Sequence, residues 1–507
     1  MRTDRSENER SFEYDDLTAI TGSVFTGGNL LTDNFNRNDI EQESYAISAR
    51  LEQEWVLGKT SLRATFASFG DQQDEVEYEI DFDNDEPEFE GENQLTNIAD
   101  EELSFQIDHD FPIGYGIDLI IGGFLQFKDR DSDLTTAEQG ADLDPAFHGW
   151  NQFSDSPLDV AGPFDPFEAV PGGVNTIGED RKDLFALIEG SSGPLSFEAG
   201  VRWENTSVEI EDLTVAPALA RLRNEYDEIL PSASFKLDVG QGRITASVAR
   251  TLRRPRLDFL SPVLLEEELG DSDFLGNPDL LPETAWGGDL GYEHRIGRDG
   301  VIGVNVFYRD ITNLVEINTT LDPVTGLPLE GSEGPGTFVF QPQNTGDGEV
   351  WGIEFDLSAS LAFIGLPDTG VFGNLALLDS KITDFAGERR FNDQSEYVYN
   401  FGFIQNLRTP GVAFGATYRK QGPAFGRVIA EEVTTRYGAD LEVFVEKRLG
   451  EKFTIRAVGS NLLDGPKDEV FNKFDSLEDQ LDRDFDEYEL ESERAGPVFQ
   501  LVARYAF

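Results

Sequence analysis

The sequence predicts an all-β protein: an up-and-down antiparallel barrel of the transmembrane type. Three observations predict it. Apolar and polar residues alternate over many short stretches, tight Gly-containing turns alternate with long polar connections, and the final alternating stretch closes on an aromatic residue, Phe507.

Alternation with period two gives a strand one apolar and one polar face. From Ile353 to Leu361 every odd position is apolar and every even one polar. The same rhythm runs through Leu103, Phe105 and Ile107, through Phe197, Ala199, Val201 and Trp203, through Ala233, Phe235 and Leu237, and through Ile302, Val304, Val306 and Tyr308. Aromatics share a face at Tyr397, Tyr399, Phe401 and Phe403, and helical spacing is scarce.

Turn chemistry supplies the order. Short turns fall near Gly58, at 112–114, 191–193, 240–242, 297–300, 365–370 and 410–411, and near Gly450. They read as hairpins. Between them lie longer polar connections at roughly 81–96, 131–178, 212–222, 255–281, 317–337, 386–393, 426–432 and 466–489. A sheet trimmed at one end and elaborated at the other has the asymmetry of a membrane barrel with short periplasmic turns and long external loops. About 17 strands fit between residues 44 and 507, with a further one at 9–26.

Composition narrows the function. With 98 acidic against 40 basic residues the formal charge is −58, which excludes nucleic-acid binding as the main role through like-charge repulsion. No cysteine means no disulfide framework, no thiolate zinc and no cysteine catalysis. His109, His148 and His294 are scattered. Hydrophobic content of 39% is enough to fold, yet no run approaches the roughly 18 apolar residues of a membrane helix. Alternation hides a β-barrel from such a search. The first ten residues show no signal peptide, so the sequence reads as cytosolic or as beginning after a signal.

Several segments, in order, resemble the C-terminal barrel of TonB-dependent outer-membrane receptors. Ala249-Arg250-Thr251-Leu252-Arg253-Arg254-Pro255 is similar to the family's S-R-x-x-x-R-P strand end. Gly276-Asn277-Pro278-Asp279-Leu280-Leu281-Pro282-Glu283 is close to G-N-P-x-L-x-P-E. Val306 to Ile311 resembles the F-Y-x-x-I strand, and Asn344-Thr345-Gly346 precedes Gly352-Ile353-Glu354. Asn461-Leu462-Leu463-Asp464 is similar to the late N-L-(L/F)-D element, before the terminal Phe507.

The resemblance covers roughly residues 180–507 and extends to about residue 44. It implies a barrel that binds a small-molecule nutrient, such as a siderophore, cobalamin or oligosaccharide. The implied surroundings are outer-membrane lipid and lipopolysaccharide in a Gram-negative bacterium, and the barrel-assembly machinery inserts the chain. Family members carry a plug domain, through which TonB delivers work, and have 22 strands. There is room here for neither the plug nor the first strands, so the chain reads as 17–18 strands of a truncated gene product or receptor fragment. Residues 1–43 are expected to hold a partial strand and a loop, and 44–507 the barrel.

The motif residues Arg250, Pro255, Gly276, Asn277, Pro278, Pro282, Glu283, Asn461, Asp464 and Phe507 read as folding elements. Pro278 and Pro282 stiffen the chain before a strand, and Gly276 permits a tight turn. Candidate substrate contacts are the loop aromatics Trp150, Phe153, Phe164 and Phe167, which alternatively pack the loop on itself. Asp81-x-Asp83-x-Asp85 resembles the start of a calcium loop, but Glu86 stands where the turn glycine belongs, which favours a solvated charge run. Acids crowd a second loop between Asp475 and Glu491. No serine elbow, P-loop or zinc-helix motif occurs, so neither enzyme activity nor a cofactor is expected. The competing readings are a passive porin or adhesin-like barrel, and a soluble acidic all-β binding protein.

Overall fold

The computed structural model describes residues 2–13, 29–82, 87–143, 162–269, 272–297, 300–332, 334–474, 476–485 and 487–506. Eighteen strands follow one another around a single sheet. They are β1 (Arg2–Glu13), β2 (Asn29–Trp55), β3 (Gly58–Asp81), β4 (Glu88–Gly114), β5 (Ile117–Asp142), β6 (Asn175–Ser192), β7 (Leu195–Asp212), β8 (Arg221–Val239) and β9 (Gly242–Arg253). Then come β10 (Glu283–Ile296), β11 (Gly300–Thr319), β12 (Gly334–Leu361), β13 (Leu366–Asp384), β14 (Tyr397–Leu407), β15 (Val412–Gln421), β16 (Asp440–Leu449), β17 (Phe453–Ser460) and β18 (Val498–Tyr505).

Each strand pairs antiparallel with the next. Five short strands in the connections bring the sheet to 23. Among the described residues, β1 and β18 are not paired with each other.

Register carries the alternation from strand to strand. Leu290 lies opposite Ala246 and Val306, Val306 opposite Ile353, Ile353 opposite Leu377, and Leu377 opposite Tyr397. The result is a continuous apolar belt. Its members stay open: Leu290 is 57% exposed, Phe401 56% and Leu501 75%. Large apolar side chains left uncovered over a whole sheet face need a solvent other than water. The opposite face carries Arg63, Gln106, Arg202, Asp289, Asn305, Glu354 and Arg456, the pattern of a polar lumen.

The predicted tight turns all lie at one end. Gly58 has φ of +129°, and a Cβ there would lie 1.9 Å from the Asp110 carbonyl oxygen, so both backbone angle and space demand glycine. The other end is taller than the sequence predicts. On β4 the apolar belt spans only Leu103 to Phe111, about the length of a tilted crossing, while the strand continues up to Glu88. Residues 88–96 and 131–142, expected as loop, are therefore strand.

The expected loops 426–432 and 466–489 also contain strands. Ala424–Val428, Glu431–Tyr437, Lys467–Lys473 and Glu487–Glu493 form a separate antiparallel sheet of four above β15–β18. Above the belt no hydrocarbon selects every second side chain, so the regular hydrophobic alternation that marks a strand is lost. The first strand occupies Arg2–Glu13, earlier than the expected 9–26. Among the described residues no helix is long and apolar enough to cross a membrane.

Candidate functional site

The loop between β9 and β10 folds onto the polar face. Its short helix α1 (Leu257–Leu260) places Leu260 in a core with Ile177, Val208, Ile210 and Leu280. Ile177 shares the face of Arg181 and Asp183 on β6, and Val208 and Ile210 share the face of Glu204 on β7, so this core lies inside the rim. Below it, ion pairs line the wall. Arg181 bridges Asp183 at 2.6 Å and Glu204 at 2.9 Å, Arg202 reaches Asp183 at 2.8 Å, and Arg254 from the loop closes on Glu204. Arg130 of β5 is held by Asp100 and by Asp258 of α1.

The family-motif residues sit at the seams of this loop. A Cβ on Gly276 would fall 1.6 Å from the Ser261 carbonyl oxygen. Asn277 donates through Nδ2 to the Pro342 carbonyl at 2.8 Å, and its Oδ1 accepts from Asp279 N at 3.0 Å. Asn224 donates to the Pro278 carbonyl at 2.6 Å, and Pro282 is buried. Glu283 accepts from Val315 N at 2.7 Å and from Arg253 at 3.1 Å. Arg250 ties to Glu228 and, at 2.9 Å, to the Ile229 carbonyl, and Pro255 is half-buried.

Gly276→Ala is expected to cost about 3 kcal/mol, the upper range for overpacking, because the opposing atom is backbone. Limited proteolysis of residues 254–282 reads the effect. Cleavage no faster than in the unsubstituted protein would contradict it.

A second buried network fastens the outer rim. Arg389 and Glu316, whose side chains are 6% and 8% exposed, pair at 2.8 Å, and Arg389 reaches Asp384 at 2.6 Å. Arg427 grips both Asp384 oxygens at 2.9 and 3.0 Å. Asn392 N–H donates to Glu316 at 2.9 Å, and the Asn392 side chain exchanges two hydrogen bonds with the Arg427 backbone, at 2.9 and 3.2 Å. The sequence reading misses this network entirely, since Glu316 and Arg389 lie 73 residues apart.

Burial alone would raise the Asp384 carboxyl, but hydrogen bonds from Arg427 and Arg389 outweigh it and hold the pKa below the usual carboxylate range. A carboxylate lowered in the folded state stabilises fully above its unfolded value, and that contribution disappears as pH falls through the folded value. The network is thus expected to hold at neutral and mildly acidic pH and to weaken only below about pH 4. Hydrogen exchange of Asn392 and Arg427 amides across an acid series checks this; loss of protection already near neutrality would contradict it.

The remaining sequence candidates divide. Phe164 stacks on Tyr78 with centroids 6.3 Å apart, and Tyr78 stacks on Phe89 at 5.8 Å. Tyr78 and Phe89 share the parity of the apolar belt on β3 and β4, so Phe164 packs its loop against the outward face of the wall. Phe167 is 44% exposed. Trp150, Phe153, Asp83, Asp85, His148 and Phe507 lie outside the described residues. Asp81 ends β3, and among the described residues no group of three or more His, Asp or Glu is placed to hold a metal ion. His109 shares a hydrogen bond with the Thr60 hydroxyl at 2.8 Å and His294 one with the Tyr292 hydroxyl at 3.0 Å, on strands far apart in the sheet.

Carboxylates concentrate on the polar face of the tall wall, where Glu77, Glu92 and Glu138 stand in one row across β3, β4 and β5. This row disfavours anions at the mouth.

An apolar belt on one face, a charged wall on the other and an inward-folded loop define an up-and-down sheet of the outer-membrane β-barrel kind. The family model for the β-barrel of TonB dependent receptor-like proteins matches residues 2–462, and the chain belongs to that family. Its members are receptors and transporters. Among solved structures the chain is similar to the copper transporter OprC (TM-score 0.56, 12% identity, covering 100% of this chain and 76% of that one). It is also similar to the ferric citrate transporter FecA (0.51, 11%, 93% and 70%) and to the FrpB iron transporter of Neisseria meningitidis (0.51, 10%, 99% and 78%). At such identities the likeness shows the fold. No sequence among curated proteins matches the chain.

Proposed function

We propose that this chain forms the wall and outer mouth of an outer-membrane receptor for TonB-dependent uptake of a small-molecule nutrient. The observation that carries the reading is the family match over residues 2–462 on a sheet jacketed by apolar side chains and lined by polar ones. In this division of labour the barrel supplies the passage and the rim, while TonB-delivered work acts through a plug domain. Lipid covers the belt, and lipopolysaccharide adjoins its outer edge.

The similar proteins are a copper transporter, a ferric citrate transporter and an iron transporter, and here an acidic mouth suits a metal cation or a cationic or neutral chelate better than a multiply charged anion. Of the aromatic candidates among the described residues, Phe167 is the exposed one and can touch substrate; Phe164 serves as an anchor for its loop. Arg250, Pro255, Gly276, Asn277, Pro278, Pro282, Glu283, Asn461 and Asp464 act as structural seams.

Uptake of cupric ion, with anionic ferric citrate as the contrast, by cells producing the receptor, with and without an uncoupler, tests the reading. Energy-dependent accumulation of cupric ion in preference to ferric citrate is expected. Entry that persists unchanged in de-energised cells would instead mark a passive pore.

A further inference from the structure

The four-stranded upper sheet is a continuation of β15–β18 that has broken away from them along one line. Each break contains a glycine: Gly422, Gly438, Gly465 and Gly496, three of them followed by Pro423, Pro466 and Pro497. Proline removes the ladder donor, so pairing cannot run through these points. At Gly438 a Cβ would lie 2.4 Å from the Gly465 backbone, and Gly496 has φ of +71°. The crease therefore requires these residues.

Few bonds cross the crease: two motif residues supply three of them, Lys420 donates to the Tyr437 carbonyl, and Gly438 N–H donates to the Pro466 carbonyl at 2.6 Å. Asn461 N–H donates to Asp440 at 2.9 Å and its Nδ2 donates to the Gly496 carbonyl at 2.8 Å, while Gly496 N–H donates to Asp464 at 3.1 Å. Side-chain clamps of this kind bend where a ladder would not.

Above the crease the sheet is one body. Helix α2 (Leu477–Asp482) sets Gln480, 2% exposed, to accept from Ala430 N at 3.0 Å and donate to the Val428 carbonyl at 2.9 Å. Arg483 pairs with Glu432 at 2.6 Å. The body leans across the tops of β12–β14 to reach β11, where Thr319 donates to the Ile429 carbonyl at 2.7 Å and Ala430 packs against Phe338 and Phe340. Arg427 and Asn392 hold this far edge through the network on Asp384 and Glu316.

We propose that the upper sheet is a flap that swings as a unit about the glycine-proline crease, closed at its far edge by the Arg427–Asp384 latch. It would cover and uncover the rim above β12–β14. The inference rests on crease, body and latch, and is independent of the substrate.

The absence of cysteine permits paired spin labels without background. One label replaces Asp482 on α2 and the other the exposed Leu327 in the loop after β11. The parent protein should give one short distance. Asp384→Asn and, separately, Arg427→Gln should each add a longer-distance population, with amide protection inside the four upper strands retained. An unchanged distance distribution in both variants overturns the proposal. So does a longer distance accompanied by loss of protection throughout the upper strands, which would mean local melting instead of a hinge.

Discussion

Arg389→Met should destabilise the outer rim by about 3–5 kcal/mol, the cost of leaving a buried charge without its partner. Glu316 and Asp384 remain enclosed, and Glu316 has no second cation within the network. Arg427 still grips Asp384, so the loss centres on Glu316. Removing that charge as well should recover part of the loss: Glu316→Met combined with Arg389→Met is expected to be closer to the parent than Arg389→Met alone, because a pair replaced by apolar groups is often nearly neutral. Hydrogen exchange and proteolysis of residues 384–396 measure both. A single substitution costing under about 1 kcal/mol, typical of surface pairs, would contradict the account.

The second large effect lies on the belt. Leu290→Arg puts a guanidinium among Ala246, Val306 and the lipid, and should cost about 2–4 kcal/mol for a charge near the bilayer midplane. Ser234, on the opposite face of β8, looks into the aqueous lumen, and Ser234→Arg should change stability by less than about 0.5 kcal/mol. Guanidinium unfolding from lipid vesicles compares the two. Equal costs would mean that the two faces meet the same solvent.

How much of this was legible depends on which solvent each segment meets. Ile353 to Leu361 in β12 and Tyr397 to Phe403 in β14 declare themselves because lipid selects every second side chain and the lumen the others. The rings of Tyr397, Tyr399 and Phe401 stack 6.0 and 6.4 Å apart along that face. Glu88 to Thr96 in β4 carries no such mark, since it stands above the hydrocarbon that selects every second side chain, and it reads as loop although it is strand.

The motif residues could be picked out by resemblance, but their roles could not. Asn461 meets Gly496 across 35 residues, and Asn277 meets Pro342 across 65. Nothing in local spacing announces such partners. Phe164 shows the same limit: an aromatic in a long loop reads as ligand contact or as packing, and its stack on Tyr78 brings together residues that no local spacing connects. The crease was invisible for another reason. Gly-Pro pairs read as ordinary turns, and only the pairing of β15–β18 brings the breaks to one height.

The central claim is that hydrocarbon meets one face of this sheet and water the other. Single cysteines at Leu290 and at Ser234, labelled with an environment-sensitive fluorophore in vesicles, test it most directly. The label at 290 should be quenched by nitroxide-bearing lipid and spared by aqueous iodide, and the label at 234 the reverse. Quenching of both by iodide, with neither touched by the lipid nitroxide, would contradict the account.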